Sequence, residues 1–195
     1  MSGAVMTVVI ILIVVAVVVL LGVALWPRMR SRRLRERFGP EYDRTVDESQ
    51  NRRVAERELA ERERRHQQLE LRPLSEDEKQ RYNMQWAHVQ EQFIDDPAKS
   101  LQNADRLLTS VMTDRGYPTE DYHQQLADLS VQHAGPLEQY RSAHDIAERA
   151  GRGEASTEDI RAAIVNYREL FVDLLDDNGA DQPARNKVDQ TAQNK

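Results

Sequence analysis

The hydrophobic and polar positions divide this chain into three unlike stretches. Positions 3–26 read GAVMTVVIILIVVAVVVLLGVALW, 24 residues without one charge. Positions 40–71 are polar on nearly every face a helix could present. From Ser75 onward apolar residues return every three or four positions, the period of helices with one buried side.

The third stretch resolves into separate helices. Ser75-Glu76-Asp77-Glu78 is a capping box, with Ser at the N-cap and Glu three residues on. Tyr82, Trp86, Val89 and Phe93 then mark one helix face. Asp96-Pro97 is an N-cap followed by Pro at the first helical position. It starts a second helix with Leu101, Ala104, Leu108 and Val111 on one side, widened by Leu107 and Met112. Gly116-Tyr117-Pro118 stops it. Thr119 caps a short third helix carrying Tyr122, Leu126 and Leu129. Gly135-Pro136 opens a fourth with Leu137, Tyr140, Ala143, Ile146 and Ala147, closed by Gly151 and Gly153. Ser156 or Thr157 caps a fifth with Ile160, Ile164, Tyr167, Phe171 and Leu174, and Asn178-Gly179 ends it. No segment alternates with period two. The spacing predicts an all-α bundle of four or five helices over 73–178, with Trp86 and Phe171 in its core. Residues 179–195 are polar and predicted to be disordered.

The first stretch predicts a transmembrane helix over 1–27. At ~1.5 Å per residue, 24 residues reach ~36 Å, enough for a ~30 Å hydrocarbon core with some tilt. A cleaved signal peptide is the competing reading, since Gly22-Val23-Ala24 offers small residues for cleavage. However, no basic segment precedes the run, and it exceeds the ~7–15 residues of such a segment's apolar region. Arg28, Arg30, Arg32, Arg33, Arg35 and Arg37 follow it against Glu36 alone. That excess predicts an N-terminus outside and a cytoplasmic C-terminal domain at the cell membrane. Arg28, Arg30, Arg32, Arg33 and Arg35 would also attract anionic headgroups of the lipid bilayer.

The middle stretch, 28–72, reads as a basic juxtamembrane segment and a charged helical linker. Phe38-Gly39-Pro40 breaks the basic run, with Glu41 and Asp43 suited to a new helix start. Glu48→Arg52, Glu58→Arg62 and Glu61→Arg65 are i,i+4 pairs in the better order, and Arg52→Glu56 and Arg57→Glu61 are the reverse. Val46, Val54, Leu59 and Leu69 do not form a heptad seam, which favours a single spacer helix over a weak dimeric coiled coil. Arg72-Pro73 ends it.

Composition refines this picture. The chain has 195 residues and no cysteine, which excludes disulfides, Cys-ligated metals and a Cys nucleophile. Its mean hydropathy of −0.72 conceals the segregation just described. Residues 28–72 hold 14 Lys+Arg against 10 Asp+Glu, a net of +4, whereas 73–178 hold 10 against 21, a net of −11. The acidic domain argues against nucleic acid as a partner.

The strings RERFGPEYDRTV, QFIDDPAKSLQNADRLLTSVMTDRGYP and GEASTEDIRAAIVNYRELFVDLL give the chain, from about Arg35 to Leu175, a likeness to a known group. It resembles a family of uncharacterised single-pass membrane proteins of actinobacteria and other bacteria. The resemblance implies a membrane anchor and a helical C-terminal domain, and carries over no catalytic residue.

Candidate chemistry is sparse. Glu120-x-x-His123 and Glu63-x-x-His66 have the spacing of di-iron ligand units, but the second lies in the charged linker and the further carboxylates such a site needs are not indicated. His144 and Glu148 share a helix face, as a metal pair or an ion pair would. Asp95-Asp96 and Asp176-Asp177 are acidic pairs, of which Asp96 is better explained as an N-cap. Gly151-Arg152-Gly153 is an interhelix turn, and no phosphate loop, dinucleotide fingerprint or nucleophile elbow occurs. The sequence therefore predicts no catalytic, metal or cofactor residues. It predicts a non-catalytic membrane-anchored adaptor or scaffold presenting an acidic helical domain to a partner protein, as a monomer or a weak homodimer through the linker helix. The alternative is a tethered helical ligand- or metal-binding sensor or enzyme domain.

Overall fold

Every regular element among the described residues, 29–176 of a computed structural model, is a helix. α1 covers the helical residues 29–38. It is followed by α2 (Pro40–Glu48), α3 (Arg52–His66), α4 (Glu76–Asp95), α5 (Pro97–Arg115), α6 (Tyr122–Leu129), α7 (Leu137–Gly151) and α8 (Thr157–Leu175). The chain divides into two compact units between Glu61 and Arg62.

The expected membrane-spanning helix is the first correction. Among the described residues no helix is long and apolar enough to cross a membrane, so the single-pass element is not part of the described fold. α1 carries Arg30, Arg32, Arg33, Arg35 and Arg37, too many charges for a helix in a hydrocarbon core. The stretch that prompted the expectation, 3–26, lies outside the described residues, as do Arg28 and the tail at 179–195.

The second correction concerns the linker, which is not one spacer helix. α2 ends at Glu48, with the extended Ser49 as its C-cap, and the Asn51 side chain accepts from the Val54 N–H at 3.1 Å, giving α3 a fresh N-terminal cap. The i,i+4 pair expected to run through the break, Glu48→Arg52, is not made. Arg44 takes Glu48 at 2.8 Å, and Arg52 takes Glu56 at 2.8 Å. Glu56 is the joint of this first unit. Its carboxylate accepts from the Ser31 hydroxyl at 2.5 Å and the Tyr42 hydroxyl at 2.9 Å, tying α3 to α1 and α2. Burial works to raise its pKa, but the hydrogen bonds from Ser31, Arg52 and Tyr42 outweigh it and hold the carboxyl below its ordinary value. Leu34, Phe38, Tyr42, Ala55 and Leu59 are buried, a small apolar set that the surrounding charge hides in the sequence. Gly39 makes the α1–α2 corner at φ +46°, where a side chain would be strained.

In the second unit the helix starts follow local chemistry. Ser75 and Glu78 form the capping box of α4, and Ser156 and Asp159 that of α8. Asp96 ends α4 and caps α5 through the Lys99 N–H at 3.0 Å, so two long helices meet at a one-residue joint. Asp121, rather than the expected Thr119, caps α6. α5 packs against α4, α7 and α8, and α7 pairs with α8. Trp86 of α4 and Phe171 of α8 stack at 4.6 Å with their planes 23° apart, at the centre of the core.

The core also recruits chain before residue 73. Leu69 and Leu71 pack against it, and the Arg72 N–H donates to the Arg115 carbonyl at 3.0 Å. That segment crosses the left-handed cap of α5 at Gly116, φ +93°. A Cβ there would stand 2.5 Å from the Glu70 carbonyl oxygen.

Candidate functional site

Two clusters gather the titratable side chains of the second unit. The first joins α5, α7 and α8 around Asp105. Its carboxylate accepts from the Tyr167 hydroxyl at 2.7 Å, and the His144 Nδ1 stands 3.6 Å away, within ion-pair range but beyond hydrogen-bond length. The His144 ring stacks on Tyr122 at 4.0 Å, and its Nε2 is 3.9 Å from Glu148. The i,i+4 pair read from the sequence is thus present, with Asp105 as a third member that the sequence did not indicate. Burial works to raise the Asp105 carboxyl, but His144 and Tyr167 outweigh it and hold it below its ordinary value. Burial, with Asp105 alongside, pushes the Tyr167 phenol upward. The Tyr140 phenol is raised by burial too, and its hydroxyl donates to Gln125 at 3.2 Å. Phenols shifted this way stay protonated and make poor bases or nucleophiles. The cluster acts as a polar brace between three helices.

The second cluster centres on His133. One ring nitrogen, Nδ1, lies 2.5 Å from the Asp173 carboxylate, and the other, Nε2, lies 3.1 Å from the Tyr117 hydroxyl. A carboxylate that orients an imidazole against a hydroxyl is the geometry of a general base. Here Tyr117 is 3% exposed and His133 4%, whereas Asp173 reaches the surface. Beside them Arg115, 2% exposed, donates to the Leu174 carbonyl at 2.7 Å. A cation there satisfies a last-turn carbonyl and complements the negative end of α8.

The remaining sequence candidates do not converge. His66 is buried, its ring 6.2 Å from that of Tyr117, whereas His123 neighbours Tyr122 at 6.0 Å. Asp96 is the helix cap described above, and Arg152 pairs with Glu154 at 2.9 Å. Asp176 is exposed, and its neighbour Asp177 lies outside the described residues. Among the described residues no group of three His, Asp or Glu side chains could hold a metal ion. Of the arginines expected to meet headgroups, Arg32 pairs with Glu36 at 3.1 Å and Arg35 with Asp43 at 2.7 Å.

Two surface features stand apart from these internal braces. A groove between α4 and α5 has Val89 and Leu107 in its floor and the exposed Met84 on its side, flanked by Arg81 and Arg106. On α8, Val165 and Val172 lie in one exposed stripe with Arg168, Glu169, Asp173 and Asp176. Met84 is 63% exposed, Val165 57% and Val172 42%. Apolar residues at i and i+7 on an outer face follow the same period as the core stripe, and only the mixture with charge conceals them in the sequence. No protein-family model matches this chain, and no curated protein or solved structure matches it.

Proposed function

We propose that this protein is a non-catalytic adaptor or scaffold that offers its acidic helical domain to a partner protein. One observation carries the reading: of the six large apolar side chains left in water among the described residues, Met84 edges the α4/α5 groove and Val165 and Val172 share one face of α8, all among charged side chains. Exposed apolar surface edged by charge is the composition of a docking face. Inside the bundle His133 is engaged with Tyr117 and Asp173, and Tyr167 with Asp105.

The test is site-specific photo-crosslinking of the full chain in cells, with the reactive group at position 84 or 172. A discrete protein adduct at either position, missing from an otherwise identical chain carrying the group at Asp145, supports docking. No adduct at either position refutes it.

A further inference from the structure

The two exposed faces differ in charge. In the α4/α5 groove, Arg81 and Arg106 make no ion pair among the described residues, and His88 at its end sits 3.8 Å from Glu91. The α8 stripe carries Glu169, Asp173 and Asp176 against Arg168. Of these, Asp173 also holds His133, while Glu169 and Asp176 make no ion pair among the described residues. The groove therefore bears two cations outside any ion pair, Arg81 beside the Tyr82 ring and Arg106 next to Asp105, within a domain of net charge −11, and the stripe bears an excess of anions.

The shapes also correspond. Arg81, Met84, Gln85 and His88 follow 3–4 spacing on α4, and Asn103, Arg106, Leu107 and Ser110 follow it on α5. Side chains at that spacing form two ridges with a furrow between them, which accepts the ridge of a third helix. On α8, Val165, Glu169, Val172 and Asp176 form such a ridge at spacings of 4, 3 and 4, turned away from the buried Tyr167 and Phe171. Two apolar side chains alternate with two carboxylates along it. Methionine, unbranched and polarizable, fits itself to a β-branched neighbour.

We propose that the α8 stripe of one copy docks in the α4/α5 groove of a second copy. Val165 and Val172 then meet Met84, Val89 and Leu107, while Glu169 and Asp176 meet Arg81 and Arg106. The proposal rests on the docking reading above and names a second copy of this chain as the partner. Because the two faces share no residue, the contact is heterologous. Each docked copy leaves one groove and one stripe open, so assembly continues into a row unless the rotation between copies closes a ring. This is the arrangement of a scaffold that multiplies its own attachment points.

The chain contains no cysteine, so introduced thiols report without background. Two differently tagged full-length chains are co-expressed, one with Met84→Cys and the other with Val172→Cys, and treated in cells with a short bis-maleimide. The expected result is a mixed adduct well above that of Met84→Cys paired with Asp145→Cys, and above either variant paired with itself. Adding Arg81→Glu and Arg106→Glu to the Met84→Cys chain places like charges across the contact and lowers the mixed adduct about tenfold or more. Adding Glu169→Arg and Asp176→Arg to the Val172→Cys chain restores it. All these positions are exposed, so folding is not at stake. A mixed adduct no stronger than the Asp145→Cys control overturns the proposal, as do self-pairs equal to the mixed pair or charge reversal without effect. If position 84 or 172 still photo-crosslinks a different protein, the adaptor reading survives that failure.

Discussion

The stacked pair at the core centre allows a quantitative test. Trp86 and Phe171 are 4% and 1% exposed, from the first and last helices of the bundle. Truncating a buried aromatic ring to Ala costs ~3–5 kcal/mol through lost burial and the cavity left behind. A well-placed ring pair adds ~0.5–1.5 kcal/mol beyond its area. Against a typical domain stability of ~5–15 kcal/mol, either change removes a large part. With a urea slope of ~2 kcal/mol per molar, the midpoint of Trp86→Ala or Phe171→Ala should fall by about 2 M in the chain from residue 62 onward. Because the partners touch, the double variant should cost less than the sum of the two. The indole N–H of Trp86 is buried with no hydrogen-bond partner among the described residues, an arrangement that costs ~1–3 kcal/mol. Trp86→Phe removes that donor and keeps a ring against Phe171, so it should lower the midpoint far less than Trp86→Ala. Unchanged midpoints for both alanine variants would refute the core assignment. A Trp86→Phe loss equal to that of Trp86→Ala would refute the part given to the unpaired N–H.

Three further outcomes follow from the same structure. A fragment starting at residue 62 should melt cooperatively, and one starting at 73 should melt several degrees lower, because it lacks the Arg65–Asp128 pair and the packing of Leu69 and Leu71; equal melting temperatures would count against that packing. Gly116→Ala forces a side chain into a left-handed conformation and against the Glu70 carbonyl, and should cost ~2 kcal/mol or more by chemical denaturation; a neutral result would mean that the 69–72 segment does not lie there. The depressed Asp105 carboxyl contributes stability that is fully present above about pH 4 and lost as pH falls through its lower folded value. Asp105→Asn should therefore flatten the acid limb of a stability–pH profile, and an unchanged limb would remove Asp105 from the account.

The helix starts of the second unit were legible because capping is local. Ser75 with Glu78, and Asp96 before Pro97, place oxygen acceptors three residues from the N–H groups that need them, and nothing distant competes. The apolar period around Trp86 and Phe171 was legible for the same reason. The polar braces were not. Tyr167 finds Asp105 across 62 positions and His133 finds Asp173 across 40, and a single sequence has no period that announces such pairs. The turn at 49–51 was missed because neither Gly nor Pro marks it, and the flanking Glu and Arg fit an unbroken helix as well as a broken one. The membrane element was inferred from residues outside the described fold, and the helices within that fold do not supply one.

The bond from Arg115 to the Leu174 carbonyl also constrains how the protein is made. It spans 59 residues, and α8 supplies eight buried side chains, from Ile160 to Leu175, to a core that α4, α5 and α7 cannot close without it. At a translation rate of ~5–20 residues per second, about 3–12 s pass between synthesis of Arg115 and of Leu174. During that interval the guanidinium lacks its Leu174 acceptor and the part of α5 that packs against α8 lacks that cover. Until α8 is made, the nascent chain therefore lacks the eight side chains that this helix gives the core. A ribosome stalled before Thr157 would expose an open apolar cleft to whatever chaperone waits at the exit. The native core can close only after the last helix has left the ribosome.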